Sequence, residues 1–115
     1  MDDKKLNDAL AFSNYRLTLQ VQRQNIEARV ATALLLSHQG SMFKATQELI
    51  NFVDLKVRTN GKLLVEDNSS NIITIENPTE FLELLITTYD SALELKQAEQ
   101  KRLKSARSTA KIVGL

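Results

Sequence analysis

A short turn motif between two long helical patterns constrains the fold of this chain more than any other feature. Residues 57–65 read Val-Arg-Thr-Asn-Gly-Lys-Leu-Leu-Val. The Asn60-Gly61 pair favours a type I′ turn, whose twist matches that of the flanking strands. The segment therefore predicts a tight β-hairpin. The motif predicts part of the fold and gives no information about catalysis or ligand binding.

A second polar cluster, residues 68–71 (Asn-Ser-Ser-Asn), suits a four-residue turn and predicts a third strand. This turn places Leu64 opposite Ile75 and Glu66 opposite Ile73. The two turns together predict a three-stranded antiparallel meander, which must pack on a helix because a bare small sheet is unstable in water. Its buried face is predicted to comprise Leu55, Val57, Leu64, Ile73 and Ile75.

The stretch from Lys4 to Gln39 contains no Gly or Pro and predicts a long N-terminal helix. One stripe of apolar residues has a seven-residue period and comprises Phe12, Leu19, Ile26 and Ala33. A second line of apolar residues beside it comprises Leu6, Leu10, Leu17, Ala28, Ala31 and Leu35. Together they predict a broad apolar helix face. A helix of about 35 residues would be roughly 50 Å long, which favours a bundle or a coiled-coil arm.

Signals for helix ends complete the fold prediction. Gly40 is placed either to end or to kink the first helix, and Ser41 to cap a shorter second one. His38, the single histidine, is assigned a capping or surface role. Residues 77–80 (Asn-Pro-Thr-Glu) combine a capping box with a proline in the first turn and predict the start of a long C-terminal helix.

The predicted fold class is α+β and mostly α: a long helix, a shorter helix, a three-stranded antiparallel meander and a long C-terminal helix. At 115 residues the chain is expected to form a single domain, residues 1–115, with residues 109–115 a frayed basic tail.

Charge is unevenly distributed along the chain. Residues 1–95 contain 9 Lys/Arg and 13 Asp/Glu, net −4, whereas residues 96–115 contain 6 Lys/Arg and one acid, net +5. This basic segment suits contact with a nucleic acid backbone or an acidic protein, although it has no aromatic residue for base stacking. The candidate contact residues are Lys101, Lys104, Arg107 and Lys111.

Composition removes several classes of chemistry. The chain has no cysteine, which excludes disulfides, thiolate metal ligands and cysteine nucleophiles. One histidine is too few for a catalytic triad or a multi-histidine metal site. Three isolated glycines form no phosphate-binding loop. No stretch approaches the roughly 18 apolar residues of a membrane-spanning helix. We therefore predict a protein that is not an enzyme, with no cofactor, no metal and no membrane contact, located in the cytoplasm.

The order long helix, β-hairpin, long helix resembles the β-type subunit of the prefoldin chaperone. The resemblance is carried by residues 57–65, which lead into the helix that starts at Pro78. Prefoldin-like proteins assemble through their hairpins and hold unfolded clients at the tips of their coiled coils, so the resemblance implies a holdase. The chain departs from that layout where Gly40-Ser41 interrupts the first arm and where a third strand is predicted.

Residues 40–50 (Gly-Ser-Met-Phe-Lys-Ala-Thr-Gln-Glu-Leu-Ile) resemble a segment of small proteins of large marine tailed phages. This resemblance covers about a tenth of the chain. It implies a virion, assembly or accessory protein with no known catalysis, located in the host cytoplasm or in the virion.

The apolar face of residues 6–35 is the main functional signal. If the second half of the chain is too short to cover it, another copy or another protein must bury the remainder. We therefore predict a self-associating assembly protein, a homo-oligomer of two or more copies. A nucleic-acid-binding accessory protein is the first alternative and a prefoldin-like holdase the second. The candidate self-association residues are Leu19, Ile26 and Val30.

Overall fold

A computed structural model describes the backbone of residues 3–112 and the side chains of residues 3–106. The elements in this range are α1 (Asp3–Ala33), β1 (Leu35–His38), β2 (Ser41–Lys44), α2 (Gln47–Thr59), β3 (Leu64–Glu66), β4 (Ile72–Thr74) and α3 (Pro78–Ile112). The predicted long, short and long helices are confirmed. The three-stranded meander is wrong, because the described strands form two separate antiparallel hairpins, β1–β2 and β3–β4.

The chain divides into two compact units. The helical unit comprises Met1–Arg29 and Leu95–Leu115, and therefore contains the first part of α1 and the last part of α3. The mixed unit comprises Val30–Glu94 and contains both hairpins and α2. The side chains of the predicted frayed tail, residues 109–115, lie outside the described part of the chain.

Residues 57–65 do not form a hairpin, because α2 continues to Thr59. Asn60 has a left-handed backbone with φ 53°. Its N–H donates to the carbonyl of Val57 at 3.3 Å, and the Gly61 N–H donates to the carbonyl of Lys56 at 3.1 Å. This is the Schellman motif that ends a helix. A type I′ turn and a Schellman motif both need a left-handed residue, and Asn satisfies either.

The helical spacing of its apolar residues keeps this segment in α2. Leu49, Val53 and Val57 are four residues apart and all face the core. The N-cap of α2 is Thr46, not Ser41: the Thr46 hydroxyl accepts a hydrogen bond from the Leu49 N–H at 3.1 Å. The helix therefore begins later and ends later than the sequence predicts.

Gly40 lies in a hairpin turn rather than at a helix end. Gln39 and Gly40 have φ of 49° and 76°, which is the two-residue left-handed pattern of a type I′ turn between β1 and β2. Ser41 pairs with His38 across this turn. The adjacent residues alternate, with Phe43 buried and Met42 exposed, and this period of two suits a strand and not a helix.

The register of β3 and β4 differs by one residue from the predicted one. Leu64 pairs with Thr74, and Glu66 pairs with Ile72. The loop is tighter than expected because the Asp67 N–H donates to the carbonyl of Asn71 at 2.8 Å. The Asp67 carboxylate also accepts N–H donors from Ser69 and Asn71, each at 2.9 Å.

A slip of one residue turns each side chain to the other face of a strand. Leu63 and Val65 are buried, and Leu64 is 45% exposed. Of the predicted buried face, Ile75 is buried and Ile73 and Val57 pack against the core, whereas Leu55 and Leu64 are exposed.

Phe81, in the first turn of α3, has no exposed surface and lies among residues of the hairpins and α2. Its ring centroid is 5.1 Å from that of Phe43 in an edge-to-face arrangement, and 5.0 Å from that of His38. His38 is thus a half-buried strand residue and does not cap a helix. The buried core cluster comprises Phe43, Ala45, Val53, Leu63, Val65, Ile75, Phe81 and Leu85.

The predicted start of α3 is confirmed. The Glu80 N–H donates to the Asn77 side-chain oxygen at 3.2 Å, and the Asn77 amide donates to the Glu80 carboxylate at 3.3 Å. Pro78 is the first residue of the helix. This reciprocal pair satisfies an N–H that the helix cannot bond internally.

The adjacent leucines Leu63 and Leu64 test the observed register. Replacing Leu63 by Ala should lower the free energy of unfolding by about 2–5 kcal/mol, because it leaves a cavity in the core. Leu64→Ala should change it by less than about 0.5 kcal/mol, because that side chain is on the surface. Urea unfolding of both variants measures the difference. The register predicted from the sequence would give the reverse order.

Candidate interaction surface

One side of α1 packs within the chain. Successive residues are about 100° apart around a helix, so Tyr15, Leu19 and Ile26 fall on one side of α1. Tyr15 and Leu19 are half-buried, and Ile26 is 6% exposed. Ile26 and Leu103 of α3 line the same shallow cavities between the two helices of the helical unit. The seven-residue stripe is therefore an internal packing surface at Leu19 and Ile26, whereas Phe12 of the same stripe is 62% exposed.

The opposite side of α1 carries a second set of apolar side chains, here called the outer stripe. Leu6, Leu10, Leu17 and Val21 are 46%, 54%, 61% and 47% exposed. At about 100° per residue they lie within a sector of about 60°, centred roughly opposite the packed side. The sequence analysis places Leu6, Leu10 and Leu17, without Val21, in a line beside the packed one, whereas the helix places them across the axis.

The outer stripe has its own period. Leu6 and Leu17 are eleven residues apart, and so are Leu10 and Val21. An eleven-residue repeat corresponds to about 3.67 residues per turn, which is close to the period of a straight helix. A partner helix lying along this stripe would therefore follow a gentle right-handed supercoil. This spacing was the signal in the sequence that could have singled out the outer stripe.

The three candidate self-association residues lie elsewhere. Ile26 and Val30 are 6% and 7% exposed, and Leu19 is half-buried. Two of them are therefore occupied by packing inside one chain. The large apolar side chains that α1 leaves on the surface are those of the outer stripe, together with Phe12, whose ring lies 5.9 Å from the Arg16 guanidinium carbon.

Ion pairs link α1 and α3 within the helical unit. Arg29 contacts Glu99 at 2.9 Å, and Lys96 contacts Glu27 at 3.3 Å. Arg102 approaches the same Glu99 carboxylate at 3.7 Å. The Glu99 side chain is only 12% exposed, so its charge is screened less by water than that of an ordinary surface acid.

The basic candidates fall at the edge of this helical pair. Lys101 and Lys104 are exposed, whereas the side chains of Arg107 and Lys111 lie outside the described residues. Lys104 lines a shallow cavity together with Arg23 of α1. Among side chains 3–106, neither of these two cations takes part in an ion pair. The sequence pattern had not connected Arg23 with the C-terminal basic segment.

The two units carry net charges of opposite sign. The mixed unit contains 4 Lys/Arg and 9 Asp/Glu, which gives net −5. The helical unit contains 11 Lys/Arg and 5 Asp/Glu, which gives net +6. A near-neutral chain therefore consists of two oppositely charged parts, and each part can attract partners of the other sign.

No group of three or more His, Asp or Glu side chains in the described residues could hold a metal ion. Over the same part of the chain, no helix is long and apolar enough to cross a membrane. Comparisons with protein-family models, with curated proteins and with solved structures found no match. Function must therefore be inferred from the surface of the chain itself.

The Arg29–Glu99 pair should stabilise the contact between α1 and α3. A double-mutant cycle with Arg29→Ala and Glu99→Ala should give a coupling free energy of about 0.5–1 kcal/mol, decreasing as salt is added. The Asp54–Arg58 pair at 3.1 Å, with side chains 45% and 70% exposed, is the matched control. Its coupling should be about 0.3–0.5 kcal/mol. Urea unfolding measures both coupling free energies. Equal values would contradict the stronger coupling expected for the less exposed carboxylate of Glu99.

Proposed function

We propose that this protein is a non-catalytic assembly protein that self-associates through the outer stripe of α1. One observation carries the proposal: four large apolar side chains, 46–61% exposed, are aligned on the side of α1 that faces away from its own packing partner. Single exposed apolar residues are normal on protein surfaces, whereas a contiguous line of them is typical of an interaction site.

In the described part of the chain, no element covers the outer stripe, since its four side chains remain 46–61% exposed. The outer stripe extends about 22 Å along the helix from Leu6 to Val21, at about 1.5 Å per residue. A second copy of this chain carries an apolar line of the same length, which favours a second copy as the occupant.

The expected affinity is modest. Burying the exposed half of one such side chain contributes about 1 kcal/mol, and a dimer buries eight of them. Association costs about 4–15 kcal/mol in lost freedom of motion. The gain and the cost are therefore similar in size, so we expect assembly that depends on protein concentration rather than a permanent dimer.

The two resemblances bear differently on this proposal. An assembly or accessory role, of the kind implied by the likeness of residues 40–50 to phage proteins, agrees with self-association. A prefoldin-like holdase is the weaker alternative, because residues 57–65, on which that resemblance depended, end a helix and do not form the assembly hairpin. A second copy is therefore preferred over an unfolded client as the occupant of the outer stripe.

A second candidate function is binding of a nucleic acid backbone by the helical unit. The observation that favours it is the adjacency of Arg23 and Lys104 on a unit of net charge +6. Unpaired cations on a positively charged surface attract phosphates and release their counterions on binding. Since base-stacking aromatics are few, we expect such binding to be independent of sequence.

Leu17→Glu tests the self-association proposal. A charge within the outer stripe should abolish assembly without unfolding the chain, because Leu17 is 61% exposed. Size-exclusion chromatography with light scattering, over a range of concentrations and at low and high salt, measures the mass. Ala11→Glu is the control, because residue 11 is exposed on another side of the same helix.

The wild-type chain and Ala11→Glu should both shift to higher mass as concentration rises, and Leu17→Glu should remain a monomer. Persistence of the larger species in Leu17→Glu would refute the role of the outer stripe. Ile26→Glu does not serve this purpose, because Ile26 is buried inside the chain and its replacement tests folding.

The double variant Arg23→Gln/Lys104→Gln tests the second candidate. Fluorescence anisotropy with a labelled oligonucleotide measures the affinity. For the wild-type chain the affinity should fall steeply between about 50 and about 200 mM salt. The double variant should bind more weakly than the wild-type chain at low salt. Lys56→Gln/Lys62→Gln removes two cations from the mixed unit and is the control. Equal loss in both variants would mean that the helical unit has no specific part in binding.

A further inference from the structure

We propose that two copies pair antiparallel along the outer stripe, about a twofold axis that passes between Ser13 and Asn14. This inference rests on the proposed self-association and adds its geometry. It places Leu6 of one copy against Val21 of the other, and Leu10 against Leu17. The same contacts then recur on the other side of the axis.

The spacing of the stripe supports this arrangement. Intervals along it are four, seven and four residues, so the order reads the same from either end. A twofold interface requires that residue i contacts residue j and that j contacts i. Two stripes of this spacing meet that condition over their whole length when they run in opposite directions, and each apolar side chain then faces an apolar side chain.

Net charge favours the antiparallel direction over the parallel one. Residues 30–94 carry net −5 and are separated by five residues from the end of the paired stretch of α1. In a parallel pair, both chains would enter these acidic segments at the same end of the helix pair, and like charges would repel. In an antiparallel pair they enter at opposite ends. Antiparallel helix dipoles also attract each other, whereas parallel dipoles repel.

The centre of the stripe is suited to the axis. Ser13 and Asn14 are exposed, and they occupy the gap between Leu10 and Leu17. Across the axis, Ser13 of one copy lies at the level of Asn14 of the other. The serine hydroxyl and the asparagine amide can each donate and accept a hydrogen bond. The overlap would extend from Asp3 to Gln24 of each copy, which lies entirely within the helical unit.

Cysteine cross-linking tests the direction cleanly, because the chain has no cysteine of its own. Leu6→Cys and Val21→Cys are prepared separately, then mixed and oxidised with copper(II)–phenanthroline in air. A disulfide needs Cβ atoms about 3.5–4.5 Å apart. In the antiparallel pair residues 6 and 21 face each other, whereas two copies of residue 6 are about 22 Å apart along the axis. Ala11→Cys mixed with Arg16→Cys is the control, because in the antiparallel register these two positions also lie at one level along the helix axis but on other sides of the helix.

The expected result is a covalent dimer in the mixture of Leu6→Cys and Val21→Cys, with intact mass showing one chain of each kind, and none with either variant alone. Rapid cross-linking of each variant alone would overturn the antiparallel direction while leaving self-association intact. No cross-linking, with a larger species still seen by light scattering, would mean that the copies meet elsewhere. No cross-linking with a monomeric mass at every concentration would refute the proposed self-association itself.

Discussion

The burial of Phe81 is the contact on which the mixed unit depends. This one side chain touches the rings of His38 on β1 and Phe43 on β2, and it belongs to the same core cluster as residues of α2, β3 and α3. Two short hairpins would not be stable alone in water, because each has only one side that can be buried. Packing both of them against the first turn of α3 provides that burial. The capping box at Asn77 matters for the same reason, since it fixes where this turn begins.

Helix α1 combines two surfaces with different periods. Its packed side follows a seven-residue spacing and contacts α3 through Ile26, while its outer side follows an eleven-residue spacing and stays exposed. A helix that is apolar on two opposite sides is stabilised when both sides are buried. The fold uses one side, and the proposed assembly uses the other. Ion pairs such as Arg29–Glu99 stabilise the contact of α1 with α3, and the outer stripe lies on the other side of α1.

Charge and apolar surface contribute to function in different ways. The outer stripe supplies a short-range contact with little dependence on salt, whereas the opposite net charges of the two units act over about a Debye length. The apolar contact can determine which surfaces are buried. The net charges can determine the orientation and the rate at which two molecules approach each other. The helical unit also carries net charge +6, so the proposed assembly and the proposed binding of a polyanion are compatible uses of different sides of this unit.

Features that depend on neighbouring residues could be predicted from the amino-acid sequence. The start of α3 follows from residues 77–80, the mostly helical character follows from the periodic apolar residues, and the polar cluster after Glu66 marks a turn. These features are predictable because a cap or a turn is formed by the side chains and backbone of a few consecutive residues. The excess of exposed apolar residues on α1 was also visible in the pattern, although the residues first chosen from it, Ile26 and Val30, are buried.

Contacts between residues distant in the chain select which of several locally acceptable conformations each segment adopts. Asn60-Gly61 suits a hairpin turn as well as a helix end, and the packing of Val53 and Val57 in the core decides for the helix. Gly40 suits a helix end as well as a hairpin, and the burial of Phe43 decides for the hairpin. The register of β3, and the choice of which side of α1 faces inward, likewise depend on residues distant in the chain. A local pattern specifies a period, whereas contacts with distant residues determine which face that period buries.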